Sequence, residues 1–183
     1  MSSCAIGFGE RFEDGVGGNS VVNHGAFATT PYQRLAILQR YRRIAMVGLS
    51  GNPYRPSHFA AMYLMAEGYE VIPVNPREAS VLGQTSYASL VAIPGGVEVV
   101  DIFREPAAVP AIVEEAIAIG AKVVWMQLGV VNDAAAATAR AAGLEVVMDR
   151  CMKIEHARFF GGLNTIGINT AVISARRRPR SPR

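Results

Sequence analysis

The run Gly48-Leu-Ser-Gly-Asn-Pro-Tyr-Arg-Pro-Ser57 carries the chemistry most easily read from this chain. It follows an apolar stretch, Ile44 to Leu49, and precedes a helical pattern that starts near Ser57. A strand that turns through small residues into a helix is suited to holding an anion. Glycine lets the backbone approach, and the first helical N–H groups are unpaired and partly positive. The turn is not the dinucleotide fingerprint G-x-G-x-x-G, because its spacing fails after Gly48. It is longer, holds two prolines, and places Arg55 where the fingerprint has only backbone, which suits a nucleotide-like ligand rich in phosphate charge.

From Ile44 onward, strand and helix signals alternate. Strands are expected at Ile44–Leu49, Glu70–Val74, Val97–Phe103, Lys122–Gln127 and Leu144–Met148. Helices are expected from Ser57 to about Glu67, from Ala107 to Ile119 and from Asp133 to Ala142, each followed by a glycine stop at Gly68, Gly120 or Gly143. A short helix from Tyr32 to Tyr41 precedes them, and a helical turn falls near Tyr87 to Val91. Continuously apolar strands mean that both sheet faces are covered. Strands separated by helices mean right-handed parallel crossovers. The fold class is therefore α/β: a doubly wound, mostly parallel, Rossmann-like sheet of about five strands in a single domain.

Half the 183 residues are apolar and 18% are charged, which is the composition of a globular domain. Apolar runs are strand-length, so no membrane span is expected. The N-terminus lacks a basic region followed by an apolar core, and two cysteines, Cys4 and Cys151, form neither a disulfide framework nor a zinc motif. A cytoplasmic setting is expected. The net charge of +3 is a property of the tail: five arginines lie among the last eight residues, and without them 13 basic residues face 15 acidic ones. No specific nucleic-acid partner is implied. Residues 1–30 read as a flexible extension, 31–174 as the folded domain and 175–183 as a disordered Arg-rich tail.

In such sheets, ligands bind beyond the carboxyl ends of the strands, at the switch point beside the first strand. The end of the second strand discriminates among ligands. NAD-binding domains place a carboxylate there for the ribose hydroxyls, whereas this chain has Asn75-Pro-Arg77. A cation in that place argues for a phosphorylated ribose, either the 2′-phosphate of NADP or the 3′-phosphate of coenzyme A. A surface arginine at a strand end is the plain alternative.

The segments Val47-Gly-Leu-Ser-Gly-Asn-Pro-Tyr-Arg-Pro-Ser57, Ile72-Pro-Val-Asn-Pro-Arg77, Val100-Asp-Ile-Phe-Arg104, Trp125-Met-Gln-Leu-Gly-Val130 and Val147-Met-Asp-Arg-Cys-Met-Lys-Ile-Glu155 resemble the small stand-alone CoA-binding proteins. Those proteins share the fold of the CoA-binding domain of the succinyl-CoA synthetase α subunit. The resemblance runs from about Tyr32 to Ser174. It implies that Gly48, Ser50, Asn52, Arg55 and Ser57 hold the pyrophosphate, and that Asn75 and Arg77 meet the adenosine and 3′-phosphate end. It further implies that Phe103 and Arg104 flank the cofactor, and that Gln127, Gly129 and Val130 line the path of the pantetheine arm. The synthetase draws its phosphohistidine from a further domain and its nucleotide from an ATP-grasp subunit. The chain is expected to hold neither, so no ligase reaction follows for it alone. His24, His58 and His156 match no phosphohistidine loop.

The function this implies is binding of CoA or an acyl-CoA by a non-catalytic carrier, sensor or partner module in acyl-CoA metabolism. Two rivals are a short NADP-dependent reductase and a protein-interaction module with a vestigial pocket. Against the reductase stand the missing fingerprint and the absence of a Tyr-x-x-x-Lys pair. Against the vestigial pocket stands the gathering of Arg55, Arg77 and Arg104 at one sheet edge. Cys151, just after the fifth strand, is a candidate redox thiol whose pKa Arg150 or Lys153 could lower, or else an inert packed thiol. Asp101 is expected to be satisfied by nearby backbone or loop donors. Trp125, Met62 and Met65 read as core, and Gly161–Asn169 as a return strand or loop.

Overall fold

In a computed structural model that describes residues 29–161, the chain forms the expected layered sheet. Helix α1 (Pro31–Arg40) begins at a capping box: the Gln33 N–H donates to Thr30 Oγ1 at 3.2 Å, and the Thr30 N–H donates to Gln33 Oε1 at 2.8 Å. Strand β1 (Arg43–Val47) leads through the glycine turn into α2 (Pro56–Ala66), and β2 (Glu70–Val74) follows. A two-residue turn at Leu82-Gly83 joins β3 (Ser80–Val81) to β4 (Gln84–Thr85), both turn residues having positive φ. A 3₁₀ turn at Leu90–Ala92 precedes β5 (Val99–Ile102). Then come α3 (Val109–Ala118), β6 (Val123–Met126), α4 (Asp133–Ala141), β7 (Glu145–Val147) and α5 (Met152–Phe160).

The five main strands are all parallel, in the order β2-β1-β5-β6-β7. The chain therefore steps from β1 to β2 on one side and returns to place β5 on the other, which makes the β1/β5 boundary the switch point. Pro73, which has no N–H, is tolerated because β2 is an edge strand, where the Pro73 carbonyl accepts from the Tyr87 N–H. One sheet face packs Val100, Ile102, Val124 and Met126 against α3 and α4. The other packs Ile44, Met46, Val99 and Trp125 against α1, α2 and α5. Trp125 is fully buried, with its Nε1–H donating to the Arg150 carbonyl at 2.7 Å.

The sequence expectations need correction in three places. Helix α5 and the β3–β4 hairpin have no counterpart among them. The second strand keeps its expected bounds and β1 starts one residue early, but the other strand ends fall one or two residues inside, because the flanking residues pair only through single loop bonds such as Gly48 N–H to the Val74 carbonyl, 2.9 Å. Met62 is half exposed on the outer side of α2, whereas Met65 packs partly against the core. The return strand or loop expected at Gly161–Asn169 lies outside the described residues except for Gly161. Cys4, His24, most of the extension and the Arg-rich tail lie outside them. Among the described residues, no helix is long and apolar enough to cross a membrane.

Two polar links, one buried and one partly buried, fasten α5 to the domain. Arg34 Nε of α1 donates to Glu155 Oε2 at 2.8 Å, with both side chains almost wholly buried. Tyr63 OH of α2 lies 3.0 Å from His156 Nδ1, whose ring also meets Tyr69 edge-on. These contacts set where the start of α5, and so Cys151 and Lys153, sits against the carboxyl edge of the sheet.

Candidate functional site

A cleft of about 850 Å³ opens at the switch point, within the size range of small-molecule and cofactor sites. Eleven of the thirteen residues singled out from sequence line it: Gly48, Ser50, Arg55, Ser57, Asn75, Arg77, Phe103, Arg104, Gln127, Val130 and Cys151. Asn52 and Gly129 do not. The Asn52 side chain is turned onto its own loop, its Oδ1 accepting the Tyr54 N–H at 2.9 Å. The Gly129 N–H is bound to Asp149 Oδ1 at 2.7 Å, which ties the loop after β6 to the loop after β7.

The glycine at position 48 is needed for two reasons. Its φ of +87° is open to few side chains, and a Cβ there would sit 2.6 Å from the Phe103 carbonyl oxygen. The β1 turn and the β5 turn therefore touch, and Arg104 reaches the same opening. Ser57 Oγ accepts the Ser50 N–H at 3.2 Å, and the Gly51 N–H donates to Glu78 Oε1 at 2.9 Å. His58 Nδ1 lies 2.9 Å from the Ser50 carbonyl. A carbonyl only accepts, so that nitrogen carries the proton. Asn75 braces the neighbouring turns with both ends of its amide: its Nδ2 donates to the Leu49 carbonyl at 2.9 Å, and its Oδ1 accepts the Arg77 N–H at 3.0 Å.

Electrostatically the cleft is an anion trap. Arg55, Arg77, Arg104 and Lys153 line it, against a single carboxylate, Glu105. The Arg104–Glu105 contact is 3.6 Å and exposed, so it holds the guanidinium only weakly. Arg55 and Arg77 have no carboxylate partner among the described residues. Arg55 is the N-cap of α2 and supplies no side-chain cap, and the first turn holds no acidic residue, so the helix end faces the cleft with its positive pole uncompensated. Lys153 lies 4.3 Å from the Phe59 ring centroid, a cation–π contact that steadies the ammonium at the rim.

Seven further residues line the cleft to which the sequence analysis gave no ligand contact: Pro56, Phe59, Ala60, Glu105, Leu128, Lys153 and Ile154. Pro56, Glu105 and Leu128 adjoin residues singled out from sequence, whereas Phe59 and Ala60 lie further along α2. Lys153 and Ile154 reach the cleft from the first turn of α5, a helix absent from the sequence expectations.

The floor of the cleft carries a further polar pair. Asp101, on β5, is fully buried, and its Oδ1 accepts from Gln127 Nε2 at 2.7 Å while Oδ2 has no partner. The expected loop donor is there for one oxygen only: Gln127, in the loop after β6, serves Oδ1, while Oδ2 is served by nothing. Burial pushes the Asp101 carboxyl up to about 7, although the Gln127 bond works against this. Cys151 departs from expectation in the same direction. Burial raises its thiol pKa and nearby Asp101 adds to that, outweighing the pull of Lys153 and of the α5 backbone. Arg150, expected to help, donates instead to the Asp149 carbonyl at 3.0 Å. Among the described residues there is no cluster of His, Cys, Asp and Glu able to hold a metal ion.

Comparison with known proteins agrees with this geometry. The family described as CoA binding domain matches residues 42–157. The uncharacterized protein YneT of Bacillus subtilis (strain 168) is 42% identical over 121 residues, covering 66% of this chain and 90% of that protein. A solved structure of a hypothetical protein from Pyrococcus horikoshii OT3 is 44% identical, with a TM-score of 0.71 over 73% of this chain and 94% of that one. At the level of fold alone, the dinucleotide-forming acetyl-coenzyme A synthetase 1 of Ca. Korarchaeum cryptofilum matches 62% of this chain with 28% of its own, at 19% identity and a TM-score of 0.54.

Proposed function

The chain belongs to the CoA-binding domain family, and from that premise we propose that its carboxyl-edge cleft holds coenzyme A or an acyl-CoA. The protein then serves as a non-catalytic carrier, sensor or partner module in acyl-CoA metabolism. The observation that carries this reading is the convergence of three guanidiniums, one ammonium and an uncompensated helix N-terminus on one cleft at the switch point. A coenzyme with a pyrophosphate and a ribose phosphate offers the anionic charge that such a cleft lacks.

In this reading Gly48, Ser50, Arg55 and Ser57 take the pyrophosphate, with Asn52 shaping their loop. Arg77, held in place by Asn75, takes the 3′-phosphate. Phe103 and Arg104 flank the coenzyme. Gln127 and Val130 line the arm, and Gly129 holds their loop. The reductase alternative gains nothing from the geometry: Tyr54, the tyrosine nearest the phosphate loop, is 94% exposed and does not line the cleft.

Titration calorimetry with CoA, 3′-dephospho-CoA, NAD and NADP tests the proposal. CoA should bind tightest, and Arg55→Ala should weaken it about ten- to a hundredfold without lowering the melting temperature, the loss expected for one charge-assisted phosphate contact. Equal affinity for CoA and its dephospho form would remove Arg77 from the site. A preference for NADP would overturn the coenzyme assignment.

Cys151 lines the same cleft and is the candidate redox thiol. Its thiolate would attack one sulfur of CoA disulfide, form a protein–CoA mixed disulfide and release one CoA thiolate, a step that dithiothreitol reverses. Because burial raises its pKa, labelling should be slow at neutral pH and quicken as pH rises toward 9. Intact-mass measurement over that range checks this, and an unlabelled folded protein at pH 9 would make Cys151 a packing residue only.

A further inference from the structure

The geometry points to Asp101 as a positioning residue that fixes which edge of the Gln127 amide the bound ligand meets, and through it selects a ligand N–H at the cleft floor. This rests on the coenzyme reading above, in which that N–H belongs to the amide-bearing arm. The argument begins with hydrogen-bond inventory. An ionised carboxylate only accepts, so it can hold only the NH₂ end of a glutamine. The Gln127 Nε2 bond to Asp101 Oδ1, at 2.7 Å, is of that kind. Gln127 is 3% exposed and lines the cleft, and among the described residues no group donates to its Oε1. With its nitrogen drawn down to Asp101, it presents an acceptor to the ligand.

A protonated Asp101 can do the reverse. Its O–H would donate to the amide oxygen, the amide would turn over, and the ligand would meet N–H against N–H. Nothing else holds the carboxyl in one state, since Oδ2 has no partner and the residue is wholly buried. The shift of Asp101 to about 7 places this exchange within the neutral range.

Other titratable groups on the helices covering this face are otherwise engaged. Arg34 of α1 is paired with Glu155 of α5. His58 of α2 is bonded to the Ser50 carbonyl, and His156 of α5 to Tyr63. Lys153 lies over Phe59. Cys151 interacts electrostatically with Asp101, and its raised pKa keeps it neutral below pH 8.

The test compares CoA affinity of the wild type and Asp101→Asn between pH 6 and 8. Phosphate titration weakens both proteins alike at low pH, so the ratio of their affinities isolates Asp101. That ratio should change by about three- to tenfold over the interval, the span of one hydrogen bond, in favour of the wild type at high pH. With adenosine 3′,5′-bisphosphate, which lacks the arm, the ratio should stay flat. A flat ratio with CoA, or an equal change with the bisphosphate, overturns the proposal. Independently of any ligand, NMR signals of the Gln127 side-chain amide, assigned by their loss in Gln127→Met, should shift through a midpoint near pH 7 and stop doing so in Asp101→Asn. No shift in the wild type overturns the positioning role whatever the ligand. An intact shift with no CoA binding at any pH overturns the coenzyme assignment and, with it, the amide-bearing arm as the group selected.

Discussion

Glu155→Ala should lower the stability of the folded domain by about 3–5 kcal/mol, the usual cost of leaving one member of a buried ion pair without its partner. Glu155 receives Arg34 Nε at 2.8 Å and Arg158 at 3.2 Å, and its side chain is about 2% exposed. Arg34 is held further by the Thr29 carbonyl and by Thr29 Oγ1. Removing the carboxylate strands a guanidinium between α1 and α5, and in a domain of this size the loss should move the thermal midpoint by roughly 10 °C. The double variant Arg34→Met/Glu155→Leu should recover most of the loss, because replacing a whole buried pair with apolar side chains is often neutral or stabilising. If the double variant melts as low as the single one, the pair's worth lies in geometry that apolar packing does not reproduce. If Glu155→Ala melts like the wild type, α5 is held mainly by Met152 and the aromatic contacts of His156. Any shift of α5 also moves Cys151 and Lys153, so CoA affinity should fall with stability in the single variant.

This pair also explains why α5 was not legible in the sequence. The buried face of that helix is Met152, Glu155 and His156, at the i, i+3, i+4 spacing of an amphipathic helix. Two of those three residues are polar, so the apolar period never appears, and Cys151 at the N-cap gives no side-chain bond to mark the start. The rest of the fold was legible because its signals are local. The strands are continuous runs of Val, Ile and Met, and the helices stop at Gly68, Gly120 and Gly143, all with positive φ. The glycine turn after β1 and the cations of the cleft were legible for the same reason: strand ends locate the cleft once the topology is parallel. Asp101 was visible as an oddity within an apolar strand. Its partner lies 26 positions away, and only the β5–β6 register brings the two together. The β3 and β4 strands, two residues each, are too short to carry any period.

Asp101→Asn should stabilise the domain at high pH and much less at low pH. The folded pKa of about 7 lies above the ordinary value of 3.8, so between those limits the unfolded chain has lost a proton that the folded chain retains. Stability must therefore fall as pH rises through that window and level off above pH 7, in the sense opposite to a salt-bridged carboxylate. The whole window is worth on the order of 4 kcal/mol, and the part between pH 5 and pH 8 about 3 kcal/mol. Asparagine does not titrate here, and its oxygen can still accept from Gln127. The difference in unfolding free energy between variant and wild type should thus grow by about 3 kcal/mol from pH 5 to pH 8, whatever constant offset the substitution itself adds. Urea unfolding at several pH values measures it, and a difference that stays constant across the range would mean that Asp101 does not titrate in the window. A carboxyl kept in a fully buried place where ionisation weakens the fold needs a compensating use. Gln127 supplies one: the ionised state that costs stability is the state that turns an acceptor toward the cleft. The two pH curves should therefore run in opposite directions through the same midpoint, stability falling and the arm's share of CoA affinity rising. Asp101→Asn should flatten both, giving a protein that is more stable above pH 7 and no longer tunes its ligand. That trade between stability and function is characteristic of a strained functional group and foreign to a packing residue.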